Sequence, residues 1–578
     1  MAQNAISLGE DDTARLNFLL SSNEPPSSLD IKLINGSIEM INQYLARLQM
    51  RIKQYQQQKL RYKSLLCGVR KLPAEILSEI FVLCTNPRPT IDERDDRCVL
   101  YPKPSDYPCR LSQVCRRWRD IAKSMPSLWS CISLPHYTPV AQTKYAGIVQ
   151  RALELSRQSP LYLTLSISAF GNREQTHKKK IVEAVAGTLD DLMTQISRWR
   201  YFDFCAYAYC AELPATSFPA IPSSGAPNLI EACFSDWHHQ DHASDAANWT
   251  TELLRASPNI RHIIFNALVP SLRVPDAAPI SWVHLQTFEA QSGIQIDDLF
   301  TVFMSCPCLQ TCDVSLDTKV EDPFTHQLEE GIALEHLRTL TIIYIREEQL
   351  PVLLRWLTLP SLKQLTLEGA GEMTDDWPDD LFTGLLIRSR CNLEALSLRD
   401  LSFSETELIT YLQLPGLRDT LEVLEIDQWR TSMSTELLQM LTFKFPDPPP
   451  SPSLTLSSPP PPILELPKLK DVTFTINAMV QAVALRHFVA SRWYEAARND
   501  VPLPVARLKS IRVYLAVPYV PNVELSIEPI KRVFSRISLL HETQVHLIRH
   551  IIQSGPQEQE MYDGIQRLDR LPIHEWTI

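Results

Sequence analysis

The sequence predicts an α/β protein in three parts: a long N-terminal helix, a small all-α region, and an irregular array in which short helices and strands alternate. Three observations predict it. Apolar residues recur at alternating spacings of three and four from Ile31 to Leu66. Two compact amphipathic segments follow, around Leu72–Cys84 and Leu111–Ser124. From about Arg198 onward an apolar triplet then recurs at intervals too short for separate domains.

Composition narrows the function classes. In 578 residues, 44% are hydrophobic and 21% charged, an ordinary globular balance. Only 15 are Gly while 43 are Pro, so glycine-rich phosphate cradles are not expected. A formal charge of -11 argues against nucleic acid as a partner of the whole chain. The 13 Cys are scattered rather than dense, which reads as reduced thiols in the cytoplasm or nucleus. MAQNAISLGEDD is not a secretory signal, and no stretch reaches the roughly 18 apolar residues of a membrane span, so no membrane partner is expected.

Residues 1–30 are polar, broken by Pro25-Pro26, and are expected to be disordered. In 31–67, Ile31, Ile34, Ile38, Ile41, Leu45, Leu48, Ile52 and Tyr55 form a heptad seam. Lys59 interrupts it before Tyr62 and Leu66 resume, giving one helix on the order of 50 Å long. The flanking positions are mostly uncharged, so the pattern leaves open whether the helix packs on its own chain or self-associates. Between Met40 and Ala74 lie eight basic residues and no acidic one, followed later by Arg110, Arg116, Arg117, Arg119 and Lys123. That face suits an acidic partner or water equally.

Residues 68–134 read as two helices. In the first, Pro73 suits the opening position, Glu75 lies in the first turn where the dipole favours it, and Ile76, Leu77, Ile80 and Phe81 make the apolar face. A Pro- and charge-rich insertion, 86–108, precedes the second, LSQVCRRWRDIAKS, with Leu111, Val114, Cys115, Trp118, Ile121 and Ala122 at helical spacing. Met125 to Trp129 close the region.

Residues 135–525 carry the repeat. Triplets such as Trp199/Phe202/Phe204, Ile260/Ile263/Phe265, Leu337/Leu340/Ile342 and Leu393/Leu396/Leu398 share one spacing. From Leu229 most first members stand 24 to 31 residues apart, near the length of leucine-rich repeats. Helical patterns such as TTELLRAS and DDLFTVFMSC separate them, so neither element buries its apolar face without its neighbours. The Asn many such repeats carry is replaced at Leu268, Ala370 and Leu401, which predicts an irregular arc. A Pro-rich run, 446–462, is expected to loop out, and 526–578 to form a terminal helix and tail.

No catalytic constellation emerges, and neither cofactor nor metal is expected. His541 and His546 in HETQVH are five apart, about 140° around a helix, which excludes the i, i+4 chelation of a zinc protease. His238, His239, Asp241 and His242 read as solvated loop residues. Cys306, Cys308 and Cys312 lack knuckle spacing and read as buried thiols. GAGEMT at Gly369 lacks the third glycine of a dinucleotide fingerprint and reads as a turn.

Leu72-Pro73-x-Glu75-Ile76-Leu77-x-x-Ile80-Phe81, then Leu111-x-x-Val114-Cys115-Arg116-x-Trp118-x-x-Ile121-Ala122, then Pro126-x-Leu128-Trp129, resemble an F-box. With the preceding heptad helix and the echoes at Ser197–Trp199 and Ser491–Trp493, the chain is similar to the F-box-like proteins of mushroom-forming fungi, with a leucine-rich-repeat-like C-terminal region. The resemblance implies a non-catalytic substrate receptor that docks on a Skp-type adaptor of a cullin ubiquitin ligase. Leu72, Pro73, Ile76, Leu77 and Ile80 would form the docking face, supported by Val114 and Trp118. The alternative is an interaction or scaffold protein with no ligase role.

Overall fold

The structure is a computed structural model. It describes residues 10–22, 24–85, 106–134, 142–168, 186–207, 218–236, 245–266, 269–270, 272, 282–316, 331–346, 348–370, 377–427, 435–442, 466–477, 484, 487–488, 491–492, 505–506, 508–518, 544–552 and 575–577. The chain divides into two compact units, 1–84 and 85–578.

The first unit is helical. Helix α1 (Glu10–Ser22) lies within the stretch expected to be disordered, and α2 (Ser28–Leu65) is the heptad helix. Ser27 caps α2 through a reciprocal box: its hydroxyl accepts from Asp30 N at 3.3 Å, and Asp30 Oδ2 accepts from Ser27 N at 2.9 Å. The same carboxylate accepts both Arg15 Nε and Nη2, at 3.0 and 2.9 Å, which ties α1 to α2. Composition missed this helix because its order comes from a tertiary ion pair, and hydrogen bonding to Arg15 holds the Asp30 carboxyl well below the usual range. A 3-10 turn (Gly68–Lys71) then leads to α3 (Ala74–Thr85).

The second unit opens with α4 (Asp106–Val114) and α5 (Arg116–Ser124), a 3-10 turn (Pro126–Trp129) and α6 (Gln142–Ser156). Its strands are β1 (Cys131–Leu134), β2 (Leu161–Ser168), β3 (Trp199–Tyr207), β4 (Glu231–Asp236), β5 (His262–Phe265), β6 (Thr287–Ile294), β7 (Thr311–Leu316), β8 (Ile332–Ala333), β9 (Thr339–Ile345), β10 (Leu357–Thr358), β11 (Gln364–Gly369), β12 (Ala395–Arg399), β13 (Val423–Asp427), β14 (Asp471–Asn477), β15 (Ser510–Pro518), β16 (Gln544–Ile552) and β17 (Glu575–Thr577). Fifteen of them make one sheet whose spatial order follows chain order, with β8 and β10 paired separately. All its neighbours pair in parallel except β16 with β17. Helices bridge several of the consecutive strands, for example 245–255 between β4 and β5 and 379–389 between β11 and β12, the commonest kind of crossover between parallel neighbours.

The triplets fall in register. Phe202 faces Ala232, then Ile263, Phe288, Cys312, Leu340, Leu365, Leu396, Leu424, Val472 and Ile511 in successive strands. These rows are buried in one continuous core. A fourth position, three residues ahead of the triplet, was not read from the sequence. Ala226, Ser257, Trp282, Cys306, Leu334, Leu359 and Leu466 occupy it, are buried, and accept at their carbonyls from the first triplet residue. Cys306 in this row and Cys312 in the triplet row are therefore both core thiols, raised by burial, with Cys308 half-buried between them.

Side chains join successive repeats. Arg198 donates to Ser159 O and Ser156 Oγ, Arg388 to Leu357 O, and Arg492 to Leu466 O. Asn228 Nδ2 donates to Ser197 O at 2.6 Å and Asn259 Nδ2 to Pro227 O at 2.8 Å.

Two expectations are corrected. The array begins before Arg198, because β1 and β2 extend the same rows through Ile132, Leu163 and Phe202. Residues 544–552, expected in a terminal helix, instead form β16, whose long alternating pairing with β15 offers main-chain partners that no helical reading of the isolated segment contains. The proline run 446–462, His238 to His242, and His541 lie outside the described residues.

Candidate functional site

The residues singled out for partner docking sit on α3, α4 and α5. Val69 O accepts from Leu72 N in the 3-10 turn, and Pro73 O accepts from Leu77 N to start α3. Around α3 the apolar residues fall into two stripes about 100° apart, the angular step of one residue. Leu77 and Phe81 are fully buried. Ile76 is 47% exposed and Leu83 79%, with Ile80 half-buried between them. Leu72 is half-buried and Pro73 exposed at the helix entrance. An amphipathic helix that served only its own core would have one stripe; the uncovered second one is what a partner can use.

The second helix of the sequence reading is two helices. Cys115 breaks it, with extended backbone at φ -160° and ψ 172°, and its Sγ accepts from Trp118 N at 3.5 Å to cap α5. Arg119 Nε donates to Ser112 O at 2.9 Å across the corner. The insertion also ends earlier than expected, because 106–108 already belong to α4. Val114, at the end of α4, is 60% exposed, while Trp118 on α5 is half-buried. Ile121, Ala122, Leu128 and Trp129 are buried, and Trp129 Nε1 donates to Ala122 O at 2.8 Å.

Leu77 is therefore core, and Pro73, Ile76 and Val114 are the accessible members of the expected set. Sequence reasoning missed Leu83 and Val69, both exposed. The i, i+7 spacing of Ile76 and Leu83 was a legible signal for the first of these. The basic residues from Arg47 to Lys71 are all exposed.

Among the described residues no group of three or more His, Cys, Asp or Glu is placed to hold a metal ion. No described helix is long and apolar enough to cross a membrane. Strand carboxylates are perturbed by burial: Asp203 is pushed up to about 7, and Glu231, Glu289 and Asp313 are also raised. Glu289 faces Asp313 in register on the next strand.

Short helices followed by a large parallel sheet define a mixed α/β protein. Residues 69–135 match the F-box-like family, so the chain carries an F-box-like domain there. No curated protein matches the chain. The matched span contains α3 to β1, so its last residues are also the first strand of the sheet.

Proposed function

We propose that this protein is a non-catalytic substrate receptor of a Skp/cullin/F-box ubiquitin ligase, of the type found in mushroom-forming fungi, acting in the cytoplasm or nucleus. The observation that carries the reading is the uncovered Ile76/Leu83 stripe of α3 inside the F-box-like match. F-box-like domains generally bind Skp-type adaptors, and the exposed cations from Arg47 to Lys71 suit an acidic one. The in-register parallel sheet with helical crossovers supports a leucine-rich-repeat-like array as the substrate-holding part. The chain would act by proximity, raising the concentration of substrate near a charged ubiquitin carrier with no chemistry of its own.

Co-purification with a Skp-type adaptor tests this. Leu72→Ala with Ile76→Ala is expected to weaken adaptor binding by a few kcal/mol. Unchanged affinity in the folded double variant overturns the receptor reading and leaves the scaffold reading.

The exposed seam of α2 supports self-association as a second part of the reading. Ile38, Ile41, Leu45, Leu48 and Ile52 are all exposed along it. A parallel pair would set Lys59 against Lys59 and stack both cation-rich halves, whereas an antiparallel pair sets those halves against the end that carries Glu39. Sedimentation should therefore give a dimer that Leu45→Asp dissociates, and a monomer at all concentrations would remove this part.

A further inference from the structure

The rim formed by the strands' N-terminal ends carries a feature that docking does not use. A cavity of about 220 Å³ opens there, lined by Arg200, Pro227, Asn228, Ile230, Asn259, Arg261 and His284. Its lining residues include two arginines, one histidine and two asparagines, and no acidic residue. In a chain of net charge -11 this is a local reversal of sign.

Register explains the convergence. Ile230 N donates to Arg200 O at 3.0 Å, and Arg261 N to Ile230 O at 2.8 Å, so the two arginines are two strands apart. At about 4.8 Å per strand their backbones are on the order of 10 Å apart, a span two arginine side chains can close around one group. Among the described residues neither guanidinium has a carboxylate partner. Further along the rim the cations are neutralised, as in Lys363–Glu394 and Lys470–Glu422, each at 2.6 Å. The amides are held in place: one hydrogen of each Nδ2 is used between turns, and the other is left for a ligand.

We propose that this cavity is an oxyanion-binding site, taking a phosphate or carboxylate group through Arg200 and Arg261. A guanidinium fork can donate two parallel N–H bonds to two oxygens of either group, and the opening at the sheet rim admits a group carried on a chain as readily as a free ion. The inference deepens the receptor reading by naming the chemistry of a group the repeat domain would hold, and rests on that reading only for this use.

The full chain, without any adaptor, is titrated calorimetrically with inorganic phosphate and with three short peptides identical but for phosphoserine, aspartate or serine at one position. Binding of phosphate or of the phosphoserine or aspartate peptide, but not the serine peptide, is expected, weakening as salt rises. Which ligand binds best identifies the source. Arg200→Gln with Arg261→Gln should lower that affinity at least ten-fold, while Arg338→Gln, exposed on the same rim outside the cavity, should leave it within two-fold. Both cavity arginines are exposed, so the melting temperature of the double variant is expected to match the parent. Equal binding by parent and double variant, equal binding of the serine peptide, or no binding of any probe overturns the proposal. Adaptor co-purification is a separate measurement, so failure here leaves the docking reading standing.

Discussion

Ile76 and Leu77 are adjacent in sequence yet face different surroundings, and substituting each separates docking from stability. Leu77 is fully buried, so Leu77→Ala is expected to cost about 2–5 kcal/mol in chemical denaturation. Ile76→Asp, on the exposed stripe, should change stability by only about 0.5 kcal/mol while abolishing adaptor capture. Gly225 tests the backbone in the same way. Its φ is +59°, and a Cβ there would lie 2.3 Å from Ala256 O, the atom that accepts from Ala226 N. Gly225→Ala should destabilise by more than about 1 kcal/mol, read as a lower denaturant midpoint. Asp203 adds a pH dependence. Burial raises its folded pKa from 3.8 to about 7, opposed by a hydrogen bond from Cys233 and reinforced by Glu231. The folded state therefore keeps a proton that the unfolded state releases. Stability is fully present below about pH 4 and falls as pH rises to about 7. Asp203→Asn should flatten that fall, measured as denaturant midpoints at pH 5 and pH 8; an unchanged slope would refute the assignment.

At the scale of elements, the repeating unit carried most of the legible information. The period-two apolar pair fixed the strand, because a one-residue slip would turn Phe288 or Leu396 away from the core. The fourth row escaped notice because its members share no residue type: Ala226, Ser257, Trp282 and Cys306 have only burial and a turn carbonyl in common. The break at Cys115 escaped for a related reason, since helical spacing continues through it and only the cap geometry ends α4. Between β13 and β14 the sequence inserts its proline run, yet these strands pair directly, Val423 with Asp471 and Ile426 with Phe474. Deleting Pro448 to Pro461 should accordingly leave the melting temperature and adaptor binding nearly unchanged, because closure entropy varies slowly with loop length. Loss of fold in that deletion would make the run a structural element.

Across the whole molecule, the family boundary and the physical one do not coincide. The F-box-like match ends at 135, but β1 within it pairs with β2, Ile132 against Leu163 and Leu134 against Leu165. Ile132 and Leu134 are buried in the same core as the array. A fragment 69–135 should be less stable than 69–168 by several kcal/mol, at about 1.5–3 kcal/mol per uncovered side chain, which circular dichroism melts would show. Equal melting would mean that β1 is dispensable to the helical module. The sequence by itself determined the long helix, the F-box-like motif and the strands that carry the apolar triplets, because each follows from local periodicity or residue order. Tertiary structure alone decided which apolar stripe of α3 stays uncovered, that α1 is ordered by Arg15 and Asp30, and that Arg200 and Arg261 meet at one cavity. Those outcomes depend on what packs between residues distant in sequence, and periodicity along one segment contains no term for its neighbours.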